Sequence, residues 1–146
     1  MLLIRMPEAQ VAQNWTVVSY ALRQALPPVA GEGDDKINNI LESILLGGMQ
    51  VWYTSPDAEG KQIRSILFTY VLTDPLSKVK SLLCYALYSF VRMTPEDADI
   101  LYEGIIKYAK GKGCVRLAAY TINENLKSIM EKYGFENYWS FVTKEL

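Results

Sequence analysis

The sequence predicts an α/β domain with a mixed, mostly antiparallel central sheet flanked by helices. Three observations carry this. Stretches at helical spacing and short β-branched, aromatic runs follow one another as strand, two helices, three strands, helix, strand, helix, strand. The three apolar runs between residues 49 and 91 are joined by short turns, which favours an antiparallel meander. The long helix that follows has a strand on either side and so acts as a crossover. With 146 residues, half of them hydrophobic, and no repeat or low-complexity segment, the chain fits a single domain over residues 1–146.

Leu2 to Met6 suits a short first strand. Pro7 then opens a helix whose Val11, Trp15, Val18, Leu22 and Ala25 share one face, and Pro27-Pro28 ends it. Pro28 to Asp35, with two glycines and three acids, reads as a surface loop rather than a linker, because both flanks are amphipathic and need the same core. Asp35 is placed to cap a second helix with a stripe of Ile37, Ile40, Leu41, Ile44 and Leu45, stopped at Gly47-Gly48. From Met49 the period becomes alternating, with Met49, Val51 and Tyr53 against Gln50, Trp52 and Thr54, up to the breaker Ser55-Pro56-Asp57. Ile63 to Thr73 is almost continuously apolar, as in a strand buried on both faces, and Asp74-Pro75-Leu76-Ser77 makes the next turn. Val79 to Val91 is long enough for a central strand with a bend or bulge. Periodicity alone leaves a helix open for Leu82 to Tyr88, and the short turns on either side favour the strand.

The last third is the most legible. Thr94 is a good N-cap and Pro95 a good first helical residue; Ala98, Leu101, Tyr102, Ile105 and Ala109 recur at helical spacing up to Gly111 and Gly113. Val115 to Ile122 reads as a buried strand. Asn123 caps a helix with the stripe Leu126, Ile129, Met130 and Tyr133, and Gly134 closes it because glycine takes the left-handed backbone cheaply. Phe135 is expected in the core. Glu136 to Leu146, rich in Tyr, Trp, Phe, Val and Thr, predicts a terminal strand at a sheet edge, an invitation to homodimer pairing that Lys144 and Glu145 oppose.

Composition removes several function classes. Fifteen basic against sixteen acidic residues give no global attraction to nucleic acid or to an anionic membrane. The start has only four apolar residues before Arg5 and does not resemble a secretory signal, and the apolar runs fall well short of the roughly 18 residues of a membrane span, so a cytoplasmic protein is expected. The chain has no histidine, which removes Ser-His and Cys-His nucleophilic sites and most transition-metal sites. Cys84 and Cys114 share no metal or redox spacing and read as reduced core residues.

The succession of strand, Asn123, apolar helix, Glu131-Lys132-x-Gly134-Phe135 and last strand resembles the end of the GNAT superfamily of N-acetyltransferases, and the element order matches that topology over nearly the whole chain. One departure is that the family usually ends in two strands where this chain has room for one. The resemblance implies an acetyl-CoA cofactor whose pantetheine lies between the strands around Ser89, Phe90 and Val91 and around Leu117 to Tyr120, with Asn123 as a cofactor contact or simply a helix cap. In the family a tyrosine four residues before the glycine often protonates the departing thiolate; that position holds Met130, whose thioether has no proton to give. The family's pyrophosphate turn, Arg/Gln-x-x-Gly-x-Gly/Ala, aligned without gaps on Gly113, puts its basic position on Met93 and its small positions on Glu96 and Ala98. Only Ala98 fits, and Arg92 lies one residue from the basic position. Physically, Thr94-Pro95-Glu96-Asp97-Ala98-Asp99 explains itself without a ligand: a capping hydroxyl, a proline with no N–H and three carboxylates at the positive end of the dipole.

Tyr133, three residues on from Met130 and on the same helix face, and Tyr120 are the candidate acids. No Asp or Glu occurs between Lys61 and Thr73 or between Leu76 and Thr94, so a carboxylate base on the middle strands is missing. Tyr70, Tyr85, Tyr88 and Tyr120 are the titratable groups within the sheet. The resemblance thus implies a divergent acyl-CoA-dependent N-acyltransferase acting on a small-molecule or peptide amine. The alternative is an inactive binding or assembly module that kept the fold, as in degenerate GNAT-like chains among phage-encoded proteins of unassigned role.

Overall fold

Five strands follow one another across a single sheet in chain order: β1 (Leu2–Met6), β2 (Gln50–Ser55), β3 (Ser65–Thr73), β4 (Lys80–Ser89) and β5 (Cys114–Ala119). The first four are antiparallel neighbours. The β4–β5 pair is parallel, because α4 (Pro95–Gly111) carries the chain back to the starting end of the sheet. The remaining helices are α1 (Glu8–Gln13), α2 (Trp15–Gln24), α3 (Asn38–Leu45) and α5 (Glu124–Lys132). The computed structural model describes residues 1–31 and 34–146; the middle of the loop expected at Pro28 to Asp35 lies outside the described residues.

Strand alternation gives each face of the sheet its own core. Val11, Val18, Leu22 and Ile44 from α1, α2 and α3 pack with Met6, Val51, Tyr53, Ile66, Phe68 and Ala86. On the opposite face, Leu101, Ile105 and Ala109 of α4 pack with Trp52, Leu67 and Leu82. All six residues of β2 are consequently buried, polar ones included. Their polar atoms satisfy one another: Trp52 Nε1 donates to Thr69 Oγ1 (2.9 Å), Thr69 Oγ1 donates to Gln50 Oε1 (3.0 Å), and the Thr54 and Ser65 hydroxyls are 2.7 Å apart.

Five expectations are corrected. The strand read over Val115 to Ile122 ends at Ala119 and is not buried, Val115 being 67% and Ile122 81% exposed. The first helix is interrupted at Asn14, whose side chain donates to the Gln10 carbonyl (2.9 Å), a local bond that competes with helix continuation. Asp35 does not cap α3; it sits in the short 3-10 turn Asp34–Lys36, and α3 begins after Ile37 without a capping side chain. Phe135 is only half-buried. Most importantly, Glu136 to Leu146 forms no strand: a strand is stabilised by its neighbours, and this segment pairs with none. Tyr138, Trp139, Phe141 and Val142 are all at least 66% exposed.

The bulge anticipated in the fourth strand falls at Tyr85. Phe68 faces Ala86 and Thr69 faces Cys84, so Tyr85 has no partner on β3. Cys84 and Leu87 pack on the α4 side, whereas Tyr85 and Ala86 both pack on the α1–α3 side. One surplus residue has reset the alternation.

Replacing Thr69 with valine keeps the volume and strands Trp52 Nε1 and Gln50 Oε1. Thr69→Val is expected to lower the unfolding free energy by about 1–3 kcal/mol, read as a lower urea midpoint at unchanged slope.

Candidate active-site cleft

The parallel ladder between β4 and β5 ends where the bulge begins. Cys84 and Ala119 are its last pair, closed by a 3.4 Å bond from Tyr120 N–H to the Cys84 carbonyl. Beyond this point Tyr85 to Ser89 run on with no strand beside them on the β5 side. The two chains part around a cleft of about 500 Å3, lined by Tyr88, Ser89, Met93, Tyr120 and Asn123 and closed at its sides by Leu26 to Pro28 and by Leu126 and Ile129 of α5. Backbone N–H and C=O groups on an unpaired strand edge can take up an extended amide chain as they would another strand.

Tyr120, which lines the cleft, belongs to a cluster of tyrosine rings. The Tyr85 ring lies 5.9 Å from Tyr70 and 6.3 Å from Tyr120, centre to centre. Burial first, and then the neighbouring Tyr120, push the Tyr70 and Tyr85 hydroxyls above the ordinary tyrosine range. Both keep their protons at neutral pH. Farther along β4, Tyr88 packs against Tyr20 (5.9 Å) and Phe90 (5.1 Å), and its hydroxyl is raised above the usual range mainly by the hydrogen bond with Tyr20. Burial pushes the Cys84 thiol up to about 12, so it carries no thiolate.

The α4 N-terminus is closed by its own side chains. Thr94 Oγ1 accepts from Asp97 N–H (3.1 Å), while Asp97 Oδ2 accepts from Thr94 N–H and from the Thr94 hydroxyl, both at 2.8 Å. Arg64 grips the same carboxylate with two 3.0 Å bonds, Nε to Oδ1 and Nη2 to Oδ2. Asp97 is buried, and the Arg64 guanidinium first, then the Thr94 donors, hold its carboxyl down at about 2. Pro95 has no N–H and Ala98 N–H is spent on the Thr94 carbonyl (3.1 Å). Three of the first four helical residues thus have no backbone donor to offer an anion.

Of the residues singled out from the sequence, Ser89, Tyr120 and Asn123 meet at the cleft. The Ser89 hydroxyl is already used on the Val91 and Arg64 carbonyls, and Asn123 Oδ1 caps α5 by accepting from Leu126 N–H (3.0 Å). Phe90, Val91 and Arg92 lie outside the cleft lining and are exposed. Ala98 is buried and borders an adjoining apolar cavity of about 100 Å3 between α4, α5 and the sheet, which shares Met93, Tyr120, Leu126 and Ile129 with the cleft. Tyr133 borders that cavity too: its hydroxyl donates to Asp99, which pushes it up to about 12, and its ring packs 4.5 Å from Tyr102. The Arg64–Asp97 pair and the Tyr20–Tyr88 contact left no mark in the sequence, their partners being far apart along the chain. Among the described residues, no group of His, Cys, Asp and Glu is arranged to hold a metal ion, and no helix is long and apolar enough to cross a membrane.

No family model matches the sequence. No curated protein is significantly similar to it. Solved structures do match over essentially the whole chain. AAC(6')-Iy in complex with the bisubstrate analogue CoA-S-monomethyl-acetylneamine superposes with a TM-score of 0.73 at 15% identity, covering 99% of this chain and 96% of that one. A ribosomal-protein-alanine N-acetyltransferase from Brucella melitensis gives 0.72 at 11% identity with 100% of both chains covered. The glucosamine-6-phosphate N-acetyltransferase from Arabidopsis thaliana gives 0.65 at 14% identity, covering 98% and 96%. The chain has the fold of the GNAT N-acetyltransferases.

AAC(6')-Iy was solved with a CoA bisubstrate analogue, and the two parts of such a molecule compare differently with the residues present here. The extended pantetheine amides match the open β4 edge, whereas the pyrophosphate does not match an α4 N-terminus already filled by Asp97.

The folded-state carboxyl of Asp97 lies below its unfolded value of 3.8, so its stabilisation is complete above pH 4 and is lost as pH falls through about 2. Of the order of 2 kcal/mol is at stake. Thermal unfolding between pH 5 and pH 2 is expected to show a decline that Asp97→Asn flattens while lowering stability at pH 7.

Proposed function

We propose that the protein is an N-acyltransferase that moves an acyl group from a pantetheine thioester to a small-molecule or peptide amine. The observation that carries this is the parting of β4 and β5 beyond Cys84, which leaves an unpaired strand edge beside Tyr120 in a cleft of about 500 Å3. A bound thioester supplies an activated acyl carbon: the amine nitrogen forms its bond there, the carbon–sulfur bond breaks, and sulfur leaves as a thiol. Tyr120 Oη holds a proton at the cleft for that sulfur and regains one from solvent. Tyr85, whose ring lies 6.3 Å from that of Tyr120 and 5.9 Å from that of Tyr70, packs behind it. Without a carboxylate on β3 or β4 beside the cleft, the incoming ammonium gives one proton to water before attack and a second as the amide forms, the second balancing the proton that Tyr120 regains. The Tyr20, Tyr88 and Phe90 rings make an aromatic flank on the α2 side.

Tyr120→Phe is expected to lower turnover about 100-fold with donor affinity nearly unchanged, measured by thiol release with a panel of amines. A larger loss in Tyr133→Phe would move the acid to α5, and an undiminished rate in Tyr120→Phe would remove it from Tyr120.

A second reading, an assembly module that has kept the fold without catalysis, is favoured by the exposed Tyr138, Trp139, Phe141 and Val142 and by a β5 strand with one unpaired edge. Segment 136–146 of a second copy would add to that edge. Light scattering after size exclusion is expected to give a dimer that removal of residues 136–146 turns into a monomer; a full-length monomer counts against this reading.

A further inference from the structure

The cleft and the α4 N-terminus make opposite demands of one ligand. The cleft offers unpaired backbone, Tyr120 and apolar walls, all suited to the amide and thioester part of a pantetheine arm. The helix start, where a nucleotide diphosphate would need donors and positive charge, presents Glu96, Asp97 and Asp99. Of the nearby cations, Arg64 is committed to Asp97 by two hydrogen bonds, and Arg92 is exposed and outside the cleft lining. Asp97 is itself the anion at this position: it occupies the Thr94 N–H and hydroxyl as a bound phosphate oxygen would. A second anion brought here meets no free donor from Pro95, Asp97 or Ala98 and is repelled by exposed Glu96 and Asp99. Nor does Ser89, at the outer end of β4, have a hydroxyl proton to spare, since it is given to the carbonyls of Val91 and Arg64.

We infer that the protein recognises its acyl donor through the pantetheine arm alone and does not read a nucleotide diphosphate. This rests on the acyl-transfer reading above and sharpens it. The donor class is an acyl-pantetheine thioester, either free or carried as 4′-phosphopantetheine on a carrier protein, and coenzyme A serves only through the portion it shares with these. The Arg64–Asp97 pair and the Thr94–Asp97 box are the specificity device, because they fill the anion position from within the fold.

The test is calorimetric binding and thermal unfolding of the full chain with acetyl-pantetheine, acetyl-CoA and an acetylated acyl carrier protein, each at low and high salt. Acetyl-pantetheine and acetyl-CoA are expected to bind within about threefold of each other, with the acetyl-CoA affinity level or rising as salt screens the first-turn acids. A carrier protein tenfold tighter than acetyl-pantetheine identifies the carried donor, and equal affinity the free one; both support the inference. Acetyl-CoA binding at least about tenfold tighter than acetyl-pantetheine, with that advantage lost at high salt, overturns the inference and leaves the acyl-transfer proposal standing. No binding by any of the three overturns both.

Discussion

Between Cys84 and Leu87 the alternation of β4 slips by one residue, because Tyr85 and Ala86 both pack on the α1–α3 side. Everything about the cleft follows from that slip. The extra residue twists and bends the strand, the ladder to β5 stops at Cys84, and the ends of two parallel neighbours separate. A regular β4 would keep pairing with the chain after Ala119 and leave no room between them. The bulge forgoes Tyr85's pairing to β3 and gains ring contacts with Tyr70 and Tyr120, each worth about 0.5–1.5 kcal/mol beyond the buried area. Of these rings Tyr120 lines the cleft, and Tyr88, farther along β4, lines it too.

Arg64 is the second constraint, and it works through main chain and side chain together. Its N–H donates to the Thr54 carbonyl (2.9 Å) at the end of β2, and its own carbonyl accepts from Phe90 N–H (2.8 Å) just beyond β4. Its guanidinium holds Asp97 in the first turn of α4. A single residue thereby fixes the exit of the meander relative to the crossover helix. A buried carboxylate is tolerable only with such a partner, since an isolated one would cost several kcal/mol to desolvate. The consequence for function is that the helix dipole is met by a protein group rather than left for a ligand.

The strands, the crossover helix and the two caps at Thr94 and Asn123 were legible because each rests on neighbours in sequence: periodicity, a capping side chain three residues away, a glycine at a left-handed turn. Gly134 has φ 87°, and Asn123 bonds Leu126 N–H as its position requires. The bulge was anticipated from the length of β4, though not its position. Ser89, Tyr120 and Asn123 line one cleft, while Tyr133 and Ala98 border only the smaller cavity that adjoins it. Tyr133 has the right helix face in sequence terms, but Asp99 on α4 engages its hydroxyl, and no spacing rule reveals a partner 34 residues away.

By itself the sequence determined the order and type of nearly every element, the absence of histidine chemistry and the self-capped start of α4, because these depend on local backbone energetics and side-chain inventory. The tertiary structure alone decided three things. It buried Gln50 and Thr69 by giving them each other, it committed Arg64 to Asp97, and it left Glu136 to Leu146 unpaired despite a strand-like composition. Each depends on which distant group arrives alongside. A strand, a buried amide and an anion site are properties of pairs, and the partner is supplied by the fold.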